Sequence, residues 1–262
     1  MYEKYKFLRF DRRGSVLTVT MDNPPLNAAV PDLHDEQTYV FDDIARDDEC
    51  NVAVLTGAGK AFSAGGDFDG MLQAQQDAAL REYMMSRAPH MIHSMLGLDK
   101  PLIARVNGHA MGLGATLALM CDVVIATENA KFADPHINVG LSTGDGGAII
   151  WPNLIGYARA RHHLLTGDPL TATQAVEIGL IYKAVAAEAL DEEVYGYAER
   201  LANGPTMAIR ATKRSINMAL CAQAAAQADA HIGLELRTLS SQDHREAILA
   251  MMEKRTPVFT GK

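Results

Sequence analysis

The chain has 262 residues, 48% of them hydrophobic and 21% charged, enough apolar material for a substantial core in one compact domain with an appendage, or in two small domains. A formal net charge of −8, with Lys and Arg scattered rather than striped, argues against a nucleic-acid partner. Nor is a membrane expected: no apolar run reaches the roughly 18 residues a bilayer span needs, and the opening MYEKYK has no apolar signal region.

Residues 7–10 and 16–21 alternate apolar with polar side chains around Asp11-Arg12-Arg13-Gly14, which predicts a β-hairpin. Pro31-Asp32 opens an amphipathic helix to about Arg46, followed by a fully apolar strand over 51–56 that ends at Gly57-Ala58-Gly59. A polar stretch at 73–77 precedes a methionine-rich helix over about 80–96. Next come a strand at 101–106, a glycine loop, a helix at 114–120 and strands at 122–126 and 131–133. Residues 140–151 carry the chain around a turn into another helix. Apolar strands alternating with helices predict an α/β fold with parallel pairing.

Beyond Gly156 the composition becomes helical. Residues 158–165, 173–178, 188–202, 206–220 and 222–250 are predicted helices, and only 180–185 reads as a strand. The expected organisation is a core over 1–200 and a helical region over 201–262, near a natural break at Asn203-Gly204-Pro205. The alanine-rich stretch 221–230 is expected to pack against another subunit.

Two segments carry the chemistry: Ala64-Gly65-Gly66-Asp67, and NGHAMGLG over 107–114. Each follows an apolar run, and the second leads directly into a helix. Glycine lets the main chain approach a ligand closely, and a helix start points unpaired N–H groups at it. Two amides converging on one point form an oxyanion hole, which stabilises charge growing on a thioester or ketone oxygen. The pairs His90/His93 and His162/His163 lack a carboxylate or cysteine at ligand spacing, so no metal site is expected. Cys50, Cys121 and Cys221 lie far apart and predict reduced thiols in a cytoplasmic protein, two of them packed in the core.

The segment KAFSAGGD at 60–67, the second glycine loop with Cys121-Asp122, and Leu165-Thr166-Gly167 followed by Ala175 and Gly179-Leu180 together resemble the crotonase (enoyl-CoA hydratase/isomerase) superfamily. The resemblance runs through nearly the whole chain. It implies a spiral of ββα units with a C-terminal helical trimerisation region, assembled as a homotrimer or a dimer of trimers. It implies an acyl-CoA substrate, with coenzyme A as part of that substrate and no separate cofactor. It assigns the oxyanion amides to Gly66 and Leu113, the latter standing where many members carry glycine. Coenzyme A would contact the main chain around Asn27, Ala28, Ala64 and Gly65, with Phe259 and Lys262 reaching adenine and phosphates.

The acid/base residues depart from the pattern. Hydratases of this family use two glutamates, and the corresponding positions here hold Thr116 and His136. A threonine hydroxyl cannot replace a carboxylate as a base. The available proton carriers are His136 and, nine residues on, Asp145 near a predicted helix start. Asp145 also suits a plain N-cap, and His136 a core histidine bonded to a carbonyl. An Asp at this place is similar to that of dienoyl-CoA isomerases. The segment around Asp134-Pro135-His136 and Gly144-Asp145-Gly146 also resembles β-diketone hydrolases of the 6-oxocamphor hydrolase type. His34 matches a further active-site histidine of that type, although a helix-surface position would serve it equally.

The leading expectation is an enzyme that hydrates, dehydrates or isomerises an acyl-CoA thioester through an enolate, with His136 and Asp145 moving protons. The alternatives are CoA-independent retro-Claisen cleavage of a β-diketone, or a catalytically silent oligomer.

Overall fold

The hairpin forms where alternation predicts it, as β1 (Leu8–Arg13) and β2 (Val16–Met21), paired antiparallel from Leu8 opposite Met21 to Arg13 opposite Val16. In this computed structural model, which describes residues 1–262, the tight turn falls at Gly14-Ser15, three residues later than the Asp11–Gly14 cluster suggests. Asp11 points outward and Arg12, on the opposite half-buried face, pairs with Asp47 at 2.5 Å, so these polar residues extend the hairpin rather than ending it.

Four further strands complete the main sheet: β3 (Val52–Gly57), β4 (Leu102–Val106), β6 (Val123–Thr127) and β9 (Lys183–Val185). Their order is β1-β2-β3-β4-β6-β9, and every pair after the hairpin is parallel. All six residues of β3 are buried, the mark of a strand covered on both faces. Helix α1 (Pro31–Arg46) connects β2 to β3 and buries Leu33, Val40, Phe41 and Ile44. A second, three-stranded sheet joins β5 (Ala110–Met111), β7 (Lys131–Ala133) and β8 (Leu170–Thr171). Two of these strands have two residues each, too short for a sequence pattern to register.

The polar stretch before the methionine-rich segment is not a loop. It ends α2 (Phe68–Gln76), which Asp67 caps by accepting from the Gly70 amide at 2.8 Å; α3 (Ala78–Gly97) follows at once. A short helix, α4 (Leu113–Leu119), lies fully buried behind the second glycine loop. A 3₁₀ turn at Pro135–Val139 leads toward α5 (Gly147–Thr166), which kinks at Gly156. Then come α6 (Ala172–Glu177) and α7 (Leu190–Ala202).

The largest correction concerns the C-terminal helices. The predicted break near Cys221 does not exist: α8 runs unbroken from Thr206 to Leu239, 34 residues, and α9 (Gln242–Met252) follows the turn at Ser240-Ser241. Alanine-rich sequence has no reason to stop at a cysteine, and no Gly or Pro interrupts residues 206–232. Toward its N-terminal end α8 is tied to the sheet. Lys213 donates to Asp122 at 2.7 Å and to the Lys100 carbonyl at 2.9 Å, while Asp122 accepts from the Leu102 amide at 2.7 Å. Cys50 and Cys121 are buried and Cys221 half-buried, all as free thiols. No helix is long and apolar enough to cross a membrane.

Candidate active site

The two glycine loops are stitched together by main-chain hydrogen bonds. Phe62 and Ser63 amides donate to the His109 carbonyl at 3.0 and 3.2 Å, and the Met111 amide donates to Ser63 at 3.0 Å. Gly65 has φ +86°, and a Cβ there would sit 2.7 Å from the Met111 carbonyl, so only glycine allows this approach. Beside it, the Ala29 amide donates to Gly65 at 2.8 Å and fixes the first loop against the start of α1. The amides of Gly66 and of Leu113, the first residue of α4, have no protein partner. Both residues line one cavity. Leu113 is 6% exposed, and its side chain does not cost the site its amide.

His136 and Asp145 line the same cavity, brought there by the 3₁₀ turn and by the approach to α5. His136 Nε2 lies 3.5 Å from Asp145 Oδ2, and Thr116 Oγ1 donates to Asp145 Oδ1 at 3.3 Å. The other ring nitrogen, Nδ1, makes a short hydrogen bond to Asp134, which is fully buried. Burial alone would push the His136 pKa down, but Asp134 and then Asp145 outweigh it and hold the imidazole well above its ordinary value. Both carboxyls therefore favour the protonated form of the ring, which is clamped between them. Burial raises the Asp145 carboxyl above its ordinary range, against the opposing pull of His136, the Gly147 amide and Thr116. The result is a carboxyl held more basic than usual, beside an imidazole that favours its protonated form.

Sequence reasoning missed two members of this cluster. Asp134 lay within the quoted motif but carried no assigned part; a carboxylate two residues before a histidine was the available signal. Glu235 comes from the far end of α8, and its Oε2 accepts from the Gly144 amide at 3.1 Å. It is 3% exposed, and burial, reinforced by Asp145, raises its carboxyl to about 8, so it is protonated at neutral pH. A signal did exist: Ala224, Ala228, Ile232, Glu235 and Leu239 share the buried stripe of α8, and Glu235 is its one acid. Gly144 is what lets it in, because a Cβ there would meet Glu235 Oε2 and the His231 carbonyl, each at 2.6 Å.

His34 is not on the helix surface: it is buried and lines the cavity, and burial lowers its pKa to about 4. Ala64 and Gly65 line the mouth together with Met111, Asn138 and Met251. The Asn27 side chain is spent inside the fold, donating to the carbonyls of Ala58, Ala61 and Phe62. The Ala28 carbonyl accepts from Asn23 at 2.7 Å. Phe259 and Lys262 are not brought to the mouth. They line a neighbouring groove, across the 3₁₀ turn, with Arg237 and Ile137. Asp134, His136 and Asp145 offer ligand atoms within 4.8 Å of one another, the one arrangement here that a cation could enter, although the bond to Asp134 already occupies Nδ1.

The sequence profile of the enoyl-CoA hydratase/isomerase family matches residues 11–262. The chain belongs to that family. Among characterised relatives, 1,2-epoxyphenylacetyl-CoA isomerase of Escherichia coli is 35% identical over 250 residues, covering 94% of this chain and 95% of that protein. The 2,3-dehydroadipyl-CoA hydratase of the same organism is 33% identical, covering 96% of this chain and 97% of that protein. The crystal structure of an enoyl-CoA hydratase/isomerase from Mycobacterium paratuberculosis superposes with a TM-score of 0.91 at 32% identity, covering 95% of this chain and 99% of that one. The mixed α/β architecture with C-terminal helices is the crotonase fold, and the protein is a crotonase-type enzyme.

Proposed function

We propose that this enzyme acts on an acyl-CoA thioester by proton transfer through an enolate, giving double-bond isomerisation or hydration/dehydration. The observation that carries this reading is the pair of unpartnered amides, Gly66 and Leu113, facing the same cavity as the His136–Asp145 pair. Asp145 removes a proton from the acyl chain, and the electron pair of the broken C–H bond moves into an enolate. Its oxygen accepts hydrogen bonds from both amides, and the His136 imidazolium adds positive charge nearby. Return of the proton at another carbon shifts the double bond. Departure of a β-hydroxyl as water, protonated from the same pair, gives the enoyl product. Both Escherichia coli relatives are named for CoA-ester substrates, which supports the thioester. Ala64 and Gly65 receive the coenzyme A at the mouth, while Asn27 and Ala28 shape it from behind. The exposed Met207, Ile216, Met218 and Leu234 of α8 support assembly as a homotrimer or dimer of trimers.

A second reading is retro-Claisen cleavage of a β-diketone, in which the same groups activate water and the amides hold the departing enolate. The Asp134–His136 bond and the buried His34 favour it. The test is solvent deuterium exchange. Wild-type enzyme should place deuterium into the acyl chain of a bound enoyl- or acyl-CoA. Binding without exchange, combined with turnover of 1,3-diketones, would replace the first reading by the second.

A further inference from the structure

Beyond the two amides, the cavity wall is mostly thioether and aliphatic: Met71, Met84, Met85, Ile232 and Leu239. A hydrocarbon chain would need nothing more. Two uncommitted polar groups nevertheless stand in that wall, in addition to the His136–Asp145 pair. His34 projects from the first turn of α1 and is only 8% exposed; neither ring nitrogen bonds to a protein group, and neither is sealed away from the cavity. Glu235 spends Oε2 on the Gly144 amide, while Oε1 has no protein partner and is likewise unsealed. Asp67 also lines the cavity, but its carboxylate is committed to the Gly70 amide. Both groups therefore reach into the cavity with free hydrogen-bonding capacity, which water or a polar group of a bound molecule can take up.

We propose that this chamber takes an acyl group bearing a further uncharged oxygen, keto or hydroxyl, besides any β-hydroxyl lost in dehydration, held between the His34 imidazole and the Glu235 carboxyl. The proposal rests on the acyl-CoA reading above and narrows its substrate class. Burial keeps His34 neutral, with one ring N–H to donate and one ring nitrogen to accept, and keeps Glu235 protonated, with an O–H to donate. Neither group offers positive charge, so an uncharged oxygen suits the pair and a second carboxylate does not. A site built to hydrogen-bond an oxygen discriminates strongly against the analogue that lacks it, because its own polar groups are then left unpaired.

The test is calorimetric binding of hexanoyl-CoA against its 3-, 4- and 5-oxo derivatives, in an Asp145→Asn background so that no ligand is turned over. At least one oxo ester should bind ten-fold or more tightly than hexanoyl-CoA. His34→Leu should abolish that preference by weakening the oxo ester alone. Glu235→Leu should do the same, while Glu235→Gln, which keeps a donor, should retain it. These Glu235 variants keep the question answerable if His34→Leu does not fold. A preference below ten-fold for every oxo ester, or a His34→Leu loss that falls equally on both ligands, would overturn the proposal. If no CoA ester binds at all, the thioester reading fails separately. Cyclohexane-1,3-dione against cyclohexanone then carries the same ratio test for the chamber.

Discussion

One wall of the site is main chain and the other is side chain, and the two are built in different ways. The Gly66 and Leu113 amides come from two adjacent loops, cross-bonded and backed by the buried α4. The facing groups are gathered from the 3₁₀ turn, the approach to α5 and the distant α8, whose Glu235 follows Asp145 by 90 residues. An amide survives almost any change of side chain at its own residue, as Leu113 illustrates. A carboxyl does not. The oxyanion wall therefore supports a family of reactions, and the side-chain wall decides which of them occurs.

The sharpest way to break this division is Asp145→Asn, which keeps the shape and the Thr116 contact but removes the base. Turnover should fall by about 10²–10⁴-fold with little change in ligand affinity. A loss below ten-fold would mean that the side-chain wall does not carry the proton. Next in size is Leu113→Pro, which deletes one amide at the first position of α4, where proline is well tolerated. It should cost about 10²–10³ in kcat.

Glu235→Gln addresses the side-chain wall through stability. The folded-state carboxyl titrates near 8, far above its ordinary value, so between these values the unfolded chain binds fewer protons than the native one. Stability contributed by this group is whole below its ordinary pKa, is lost as pH rises, and levels off above about pH 8. The slope is at most ~1.4 kcal/mol per pH unit. The Tm of Glu235→Gln relative to wild type should therefore climb between pH 5 and 8; a difference that is flat with pH would deny Glu235 its buried proton. The smallest effect belongs to Leu113→Ala, which leaves the amide in place and should change kcat by less than about three-fold. A hundred-fold loss there would collapse the distinction between the two walls.

The same division explains what could be read from the sequence. The oxyanion wall is local: strand, glycine loop and helix start are contiguous, so its chemistry shows in short segments. His136 and Asp145 were legible because they occupy family positions and lie nine residues apart. Glu235 was not, because nothing local says that residue 235 faces residue 145. That pairing depends on α8 crossing the site without a break, whereas the sequence reading divides it near Cys221. His34 on α1 was ambiguous for a related reason. Its apolar neighbours mark a buried side of the helix, but periodicity does not say whether that side meets core or cavity. The two-residue strands escaped for lack of length, and α2 because its second half, Gln73–Gln76, is polar and reads as a connection.

The unbroken α8 has one more consequence. Lys213, docked on the sheet through Asp122, and Glu235, at the reaction chamber, belong to a single rigid rod. Adding or removing one residue between them would swing the acid by about 100° around the rod's axis, although every turn could stay helical. The spacing between those two anchors therefore matters more than the identity of most residues that fill it.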